Sequence, residues 1–190
     1  MKPAVFLDRD GTLIEEVGYL NRLDRVKFFP WTVDAVRVLG EAGLPVFVVT
    51  NQAGVARGYF DEQLVRDTHA LIDARMREGR ARVDGYYYCP HHPDGRVAAY
   101  RVACDCRKPK PGMILRAARE HELDLARSFV VGDRWIDVET GRASGATTVL
   151  VTTGYGLEED DRPCGLEADK VAVNLMEAAG WILRALKGSA

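Results

Sequence analysis

Two carboxylates one residue apart, Asp8 and Asp10, stand in the run Phe6-Leu7-Asp8-Arg9-Asp10-Gly11-Thr12-Leu13, where an apolar segment gives way to a glycine and a hydroxyl. In an extended chain the side chains at i and i+2 point the same way. Both anions are therefore expected to face one small volume, where they repel unless a cation lies between them. A hard divalent cation such as Mg²⁺ suits one or two carboxylates completed by waters and phosphate oxygens. A phosphate ester held by that cation would present its phosphorus to an aspartate, so the chemistry expected here is phosphoryl transfer to Asp8. Asp-x-Asp-Gly also occurs in ordinary turns and in calcium loops. An EF-hand loop, however, needs glutamate at its twelfth position, and counted from Asp8 that residue is Tyr19.

Three later segments carry groups suited to the same reaction. Thr50-Asn51 offers a hydroxyl, an amide and backbone N–H groups for phosphate oxygens. Lys108, within Arg107-Lys108-Pro109-Lys110-Pro111, can place a point charge on a phosphoryl group. In Gly132-Asp133-Arg134-Trp135-Ile136-Asp137, Asp133 can complete the protein ligands of the cation, while Asp137 is assigned nothing beyond orienting water or a neighbour. A second constellation is Cys89-Pro90-His91-His92 with Cys104-Asp105-Cys106. Three cysteines and a histidine at such spacing suit tetrahedral Zn²⁺, and four protein ligands leave no open position, so this metal would be structural. Either His91 or His92 can reach it. Arg107 follows Cys106 directly, and its planar fork suits a second phosphate.

The elements that must position these groups alternate. Continuous apolar runs predict buried strands at Ala4 to Leu7, Pro45 to Val49, Phe129 to Val131 and Thr147 to Val151, with an aromatic strand over Gly85 to Tyr88 and a short one over Lys170 to Val173. Helical periodicity predicts Trp31 to Ala42, Asp61 to Glu78, Met113 to His121, Trp135 to Ser144 and a closing helix capped by Asn174. In Asp61 to Glu78, Leu64, Leu71, Ile72 and Met76 are read as the buried face and Asp61 as the cap. Residues 15 to 30 read as a loop over the site, residues 89 to 107 as a metal-binding insertion, and the residues after Gly154 as a polar stretch. Strand–helix alternation argues for an α/β fold, a mostly parallel sheet with helices on both faces. Ligands of such sheets bind at the carboxyl ends of the strands, where Asp8, Thr50 and Asp133 are all expected.

The 190 residues, 47% of them hydrophobic, suffice for one substantial core, so a single domain spanning 1–190 is expected. With 26 basic against 28 acidic residues, no net field favours nucleic acid or an anionic membrane. The segment before Asp8 is neither a signal peptide nor a membrane span. Of four cysteines, three are clustered, which does not suit a disulfide framework, and Cys164 lies apart. A reducing, cytoplasmic setting and a monomer are expected.

Asp-x-Asp-Gly-Thr after a short apolar strand, followed in order by Thr50, Lys108 and Gly132-Asp133, resembles the four motifs of the haloacid dehalogenase-like (HAD) phosphatases over roughly residues 4 to 151. The resemblance implies a Rossmann-like core without a large cap domain. It makes Asp8 the nucleophile, Asp10 the general acid and base, and Thr50 and Lys108 the holders of the phosphoryl group. Mg²⁺ would be bound by Asp8, the backbone carbonyl of Asp10 and Asp133. The cysteine loop resembles the zinc loop of the heptose bisphosphate phosphatases, which implies His91 as the ligand. Gly18-Tyr19-Leu20 and Arg57-Gly58-Tyr59-Phe60 share that resemblance, which adds Gly18, Tyr19, Asn51 and Arg134 as substrate contacts, although Arg134 stands where those enzymes often carry lysine. The implied substrate is a small phosphorylated sugar, D-glycero-D-manno-heptose 1,7-bisphosphate cleaved at its 7-phosphate, on the route to lipopolysaccharide core precursors. A histidinol-phosphate phosphatase shares the aspartate motif and a shorter zinc loop. A zinc-binding interaction module on an inactive fold is disfavoured by the presence of Asp8, Asp10, Thr50, Lys108 and Asp133 together.

Overall fold

The computed structural model describes residues 1–156 and 162–188. Six strands, β1 (Val5–Leu7), β2 (Val46–Asn51), β3 (Gly85–Cys89), β4 (Phe129–Gly132), β5 (Thr147–Val151) and β6 (Lys170–Ala172), form one sheet in the order β3-β2-β1-β4-β5-β6. Every pairing is parallel. The helices are α1 (Thr32–Glu41), α2 (Gly54–Arg57), α3 (Glu62–Glu78), α4 (Gly112–His121), α5 (Trp135–Ser144) and α6 (Leu175–Gly188). Strand order reverses at β1, between β2 and β4, which is where open parallel sheets bind ligands.

Side-chain alternation along the strands divides the core in two. Val5, Leu7, Val46, Val48, Val131, Val149 and Val151 pack with α1, α3 and α6 through residues such as Leu39, Ile72 and Ile182. Phe6, Phe47, Val49 and Val130 face the other way, against Met113, Ile114 and Ala117 of α4. Phe6 and Phe47 lie in register and stack at 5.7 Å. Each side chain of this size contributes about 1.5–3 kcal/mol on full burial, so the short β1 is held from both faces.

The end of β2 and the buried face of α3 differ from the sequence reading. β2 continues through Thr50 and Asn51, because both still pair with β3, opposite Tyr88 and Cys89. On α3 the buried face is Val65, Thr68, His69, Ile72 and Met76, whereas Leu71 is 37% exposed. The stripe starting at Val65 keeps helical spacing through Met76, and Leu71 lies one residue off it. Asp61 and Asn174 do cap their helices, accepting from the N–H groups of Leu64 and Glu177 at 2.9 and 3.0 Å. The polar stretch expected after Gly154 includes residues 157–161, which lie outside the described residues. Among the described residues there is no cap domain, and no helix is long and apolar enough to cross a membrane.

Residues 15 to 30 are ordered by local contacts. Glu15 donates its N–H to the Lys27 carbonyl at 2.8 Å, and the Arg25 guanidinium donates to the carbonyls of Val17 and Tyr19 at 3.0 Å each. With Leu20 buried in the core, this segment becomes a fixed wall over the carboxyl ends of β1 and β2.

Candidate active site

Asp8 follows β1 directly, and its N–H donates to the Val131 carbonyl of β4 at 2.9 Å, fixing the first residue of the loop. Gly11 turns that loop at φ 81°, and a Cβ there would collide with the Asp133 carboxylate. Gly154, at φ 55°, approaches Asp133 as closely from another side. Glycine at both positions lets two backbone segments close around this fully buried acid.

Lys108 is 4% exposed and uses all three ammonium protons, donating to Asp8 Oδ1 at 2.7 Å, Asp137 Oδ1 at 2.5 Å and the Val49 carbonyl at 3.1 Å. Its backbone is braced by Asn51, whose side chain accepts from the Lys108 N–H at 3.0 Å and donates to the Lys108 carbonyl at 3.2 Å. Burial works against the ammonium, but Asp137 and Asp8 outweigh it and hold the Lys108 pKa above the ordinary lysine range. Ligand oxygens of Asp8, Asp133 and Asp137 lie within 4.8 Å of one another. Burial, opposed by Lys108 and reinforced by Asp137 and Asp10, pushes the Asp8 pKa up to about 7. Burial together with Asp8 and Asp137 pushes that of Asp133 up to about 9.

Three carboxylates and one ammonium leave this buried group two charges negative when ionised. Asp133 Oδ2 accepts from the Tyr155 N–H at 2.9 Å, while Oδ1 is buried without a protein partner. An orphaned oxygen in an anionic trio fits a hard divalent cation. Asp10 lines the same cavity, but its carboxylate is not part of the trio. Arg9 and Gln52 hold it instead, at 3.1 and 2.9 Å. The i, i+2 alternation does not carry over to its side chain because β1 ends at Leu7 and the chain is already turning.

The cavity holds about 390 Å³ and is lined by Asp8, Asp10, Thr50 and Lys108 at its floor. Thr50 is buried and accepts from Gln52 Nε2 at 2.9 Å. Glu16, Gly18, Tyr19, Asn51, Arg107, Arg134 and Tyr155 also line it. Arg134 lies over the Tyr155 ring at 5.0 Å, and Arg107 donates to the His91 carbonyl at 3.3 Å. Burial, then the nearby Asp10 charge, raises the Glu16 pKa.

Beside this cavity, Cys89, His91, Cys104 and Cys106 form a second group able to hold a metal ion. Cys104 Sγ lies 3.5 Å from Cys89 Sγ and 3.3 Å from Cys106 Sγ, and His91 Nδ1 is 3.7 and 3.4 Å from the sulfurs of Cys89 and Cys106. Ligand distances of about 2.3 Å for sulfur and 2.0 Å for nitrogen give tetrahedral edges of about 3.5–3.8 Å, close to these spacings. His92 is turned away, its Nδ1 accepting from the Asp94 N–H at 3.1 Å and its Nε2 3.3 Å from Arg57. Cys164 is exposed and apart.

A family model described as HAD-hydrolase-like matches residues 105–178. The D-glycero-beta-D-manno-heptose-1,7-bisphosphate 7-phosphatase of Photorhabdus laumondii is 39% identical over 187 residues, covering 98% of this chain and 96% of that protein. The chain belongs to the heptose bisphosphate phosphatases of the HAD-like hydrolases. The enzyme of the same name from Escherichia coli strain K12 is 40% identical over 185 residues, covering 97% of this chain and 90% of that protein. The solved D,D-heptose 1,7-bisphosphate phosphatase from B. bronchiseptica, complexed with magnesium and phosphate, superposes with a TM-score of 0.84 at 32% identity, covering 97% of this chain and 99% of that one.

Among the residues predicted from sequence, Asp8, Lys108 and Asp133 meet at one point, and Asp10, Thr50, Asn51, Arg107, Arg134, Gly18 and Tyr19 surround the same cavity. Sequence reasoning undervalued Asp137, although its position one turn beyond Asp133 at the start of a helix was a usable signal. It missed Arg9, Gln52, Glu16 and Tyr155. Of these, only Arg9 carried a hint, as a permanent charge set directly after an apolar strand.

Proposed function

We propose that this phosphatase removes the 7-phosphate of D-glycero-D-manno-heptose 1,7-bisphosphate through an aspartyl phosphate on Asp8, within a single domain spanning residues 1–190. The observation that carries the mechanism is the Lys108 ammonium, which joins Asp8 and Asp137 of a buried carboxylate trio, the four groups together carrying two minus when ionised. Asp8 and Asp133, with the Asp10 carbonyl, would hold Mg²⁺, with Asp137 beside them. When bound, Mg²⁺ neutralises charge on the phosphoryl oxygens. Asp8 attacks phosphorus, and covalent catalysis splits one difficult displacement into two. Lys108, preorganised by Asn51, and the Thr50 hydroxyl hold the equatorial oxygens. Asp10 gives a proton to the departing sugar oxygen, then takes one from the water that releases phosphate.

Arg107, held by the His91 carbonyl at the rim, is suited to the distant 1-phosphate, and Arg134 supplies a second cation there. The Cys89, His91, Cys104 and Cys106 group takes Zn²⁺ as a structural clasp, since four protein ligands leave no open position. The same reading has the protein acting on this sugar as a cytoplasmic monomer. Phosphate release from the heptose bisphosphate and from histidinol phosphate, with phosphorus NMR of the sugar product, tests the substrate. Faster release from the bisphosphate with the 1-phosphate retained is expected. Faster hydrolysis of histidinol phosphate would overturn the assignment.

A further inference from the structure

Arg9 has no part in the chemistry above, yet it is 1% exposed, an unusual position for a permanently charged side chain. Its Nε and Nη2 donate to the two oxygens of Asp10 at 3.1 Å each, a fork-to-fork pairing. Asp10 is its ion-pair partner, and no other is found among the described residues. The nearby His69 of α3 adds no second charge. Burial, then the charge of Arg9, pushes the His69 pKa down to about 3, and the ring stacks on Tyr86 at 4.4 Å. Gln52 Nε2 gives Asp10 a third bond at 2.9 Å and reaches Thr50 Oγ1 at the same distance. Gln52 is fixed in turn by its own N–H, which donates to the Cys89 carbonyl at 2.8 Å.

A carboxylate free to rotate beside a cation site would be drawn into the coordination shell, whereas a proton carrier must stay outside it. Asp8, Asp133 and Asp137 gather at one point, and Asp10, two residues from Asp8, does not join them. We propose that Arg9, assisted by Gln52, is a positioning residue that anchors the Asp10 carboxylate outside the metal shell and aims it at the leaving oxygen. The proposal rests on the acid–base role given to Asp10 above. The backbone of Arg9 has a separate task, since its carbonyl accepts from the N–H groups of Leu13 and Ile14 at 2.9 and 3.1 Å whatever the side chain.

The test compares two leaving groups at saturating Mg²⁺, the sugar alkoxide of the heptose bisphosphate, which needs a proton, and p-nitrophenolate, which does not. First-turnover rates isolate the phosphorylation step. A misplacement near 1 Å costs about 100-fold, so Arg9→Met is expected to lose about 10- to 100-fold on the sugar and under about threefold on the aryl phosphate. Arg9→Lys should regain part of the loss by restoring charge without the fork. In an Asp10→Asn background, Arg9→Met should add less than about threefold, because contacting residues that act as one unit are not additive. Equal losses on both substrates, or a full further loss in the Asp10→Asn background, would mean that Arg9 only supports the fold. Should the Arg9 variants fail to fold, Gln52→Leu carries the test without a buried charge. It is expected to show the same leaving-group split at about 3- to 10-fold, the range of one hydrogen bond, and its absence would overturn the proposal. If Asp10→Asn itself shows no split, the acid role and this proposal both fall. If Asp10→Asn shows it and the Arg9 and Gln52 variants do not, only the positioning role falls.

Discussion

Asp137→Asn removes one charge and one acceptor from the point where the site is most tightly balanced. In the native chain both oxygens of Asp137 are engaged, Oδ1 with the Lys108 ammonium at 2.5 Å and Oδ2 with the Arg134 N–H at 3.2 Å. The amide of asparagine has a single acceptor oxygen, so one of these donors loses its partner whichever way the group turns. The charge of the buried trio plus lysine changes from two minus to one minus, which no longer matches a divalent cation. A hydrogen bond to a charged group contributes about 1.5–3 kcal/mol, and loss of a partner beside a metal ligand typically costs 10- to 100-fold in affinity. Magnesium binding, followed by isothermal titration calorimetry without substrate, should therefore weaken by about 10- to 100-fold. At saturating Mg²⁺ kcat should fall less, because Lys108 keeps its bonds to Asp8 and the Val49 carbonyl. Magnesium affinity within twofold of the native value would refute the charge-matching argument.

Asp8→Asn should abolish turnover and leave the circular dichroism spectrum unchanged, since an amide of nearly the same shape is a poor nucleophile; retention of more than a small fraction of the rate would exclude covalent catalysis there. With zinc retained and no added Mg²⁺, thermal stability should fall as pH rises from about 5 to 9, as a melting series would show. Asp8 and Asp133 have folded pKa values of about 7 and 9, above the ordinary carboxylate value, so they favour the folded state at low pH and lose that contribution as pH climbs through the folded values. Added Mg²⁺ should stabilise more as pH rises over the same interval, because binding requires deprotonated ligands, and a magnesium-free melting point that rises across it would contradict the burial argument. Elemental analysis should find one zinc per chain, lost in Cys104→Ser together with a lower melting temperature; full retention would place the metal elsewhere. Arg107→Ala should reduce kcat/KM about 10- to 100-fold more for the heptose bisphosphate than for a monophosphate, the range of one charge-assisted pair, and equal losses would remove Arg107 from the second-phosphate site.

The strands were legible because a parallel sheet covered on both faces demands continuous apolar runs, and Val46 to Val49 and Phe129 to Val131 are such runs. Asp8, Lys108 and Asp133 were legible because each is an ionisable residue beside a strand end or a proline-punctuated turn, where hydrophobic periodicity has no use for it. The cysteine–histidine loop was legible from cysteine spacing, but spacing left His91 and His92 equivalent, and only the fold shows His91 Nδ1 beside the sulfurs and His92 engaged with Asp94 and Arg57. What could not be read was the direction of side chains once regular structure stops. The Asp10 carboxylate stays outside the trio of Asp8, Asp133 and Asp137, and Arg9 folds back onto Asp10, because the chain turns at Gly11. Gln52 reaches Asp10 from another strand end, a pairing that no local spacing encodes. Leu71 was misassigned for a simpler reason, since a leucine one residue off the stripe of α3 looks the same as a buried one.

The central place of β1 also sets a timetable for synthesis. Val5 pairs with Val46 on one side and Phe129 on the other. A chain made from its amino end therefore carries Asp8 before its later partners and lacks the second neighbour of β1 until β4 has been added. Asp133 and Asp137 arrive only after that. Long-range parallel pairing forms slowly, because loop closure must precede the contacts that reward it. A nascent chain that has reached only β3 therefore holds Asp8 and Asp10 without Lys108, Asp133 or Asp137, and its ability to take up the divalent ion should switch on abruptly once β4 and the first turn of α5 have emerged.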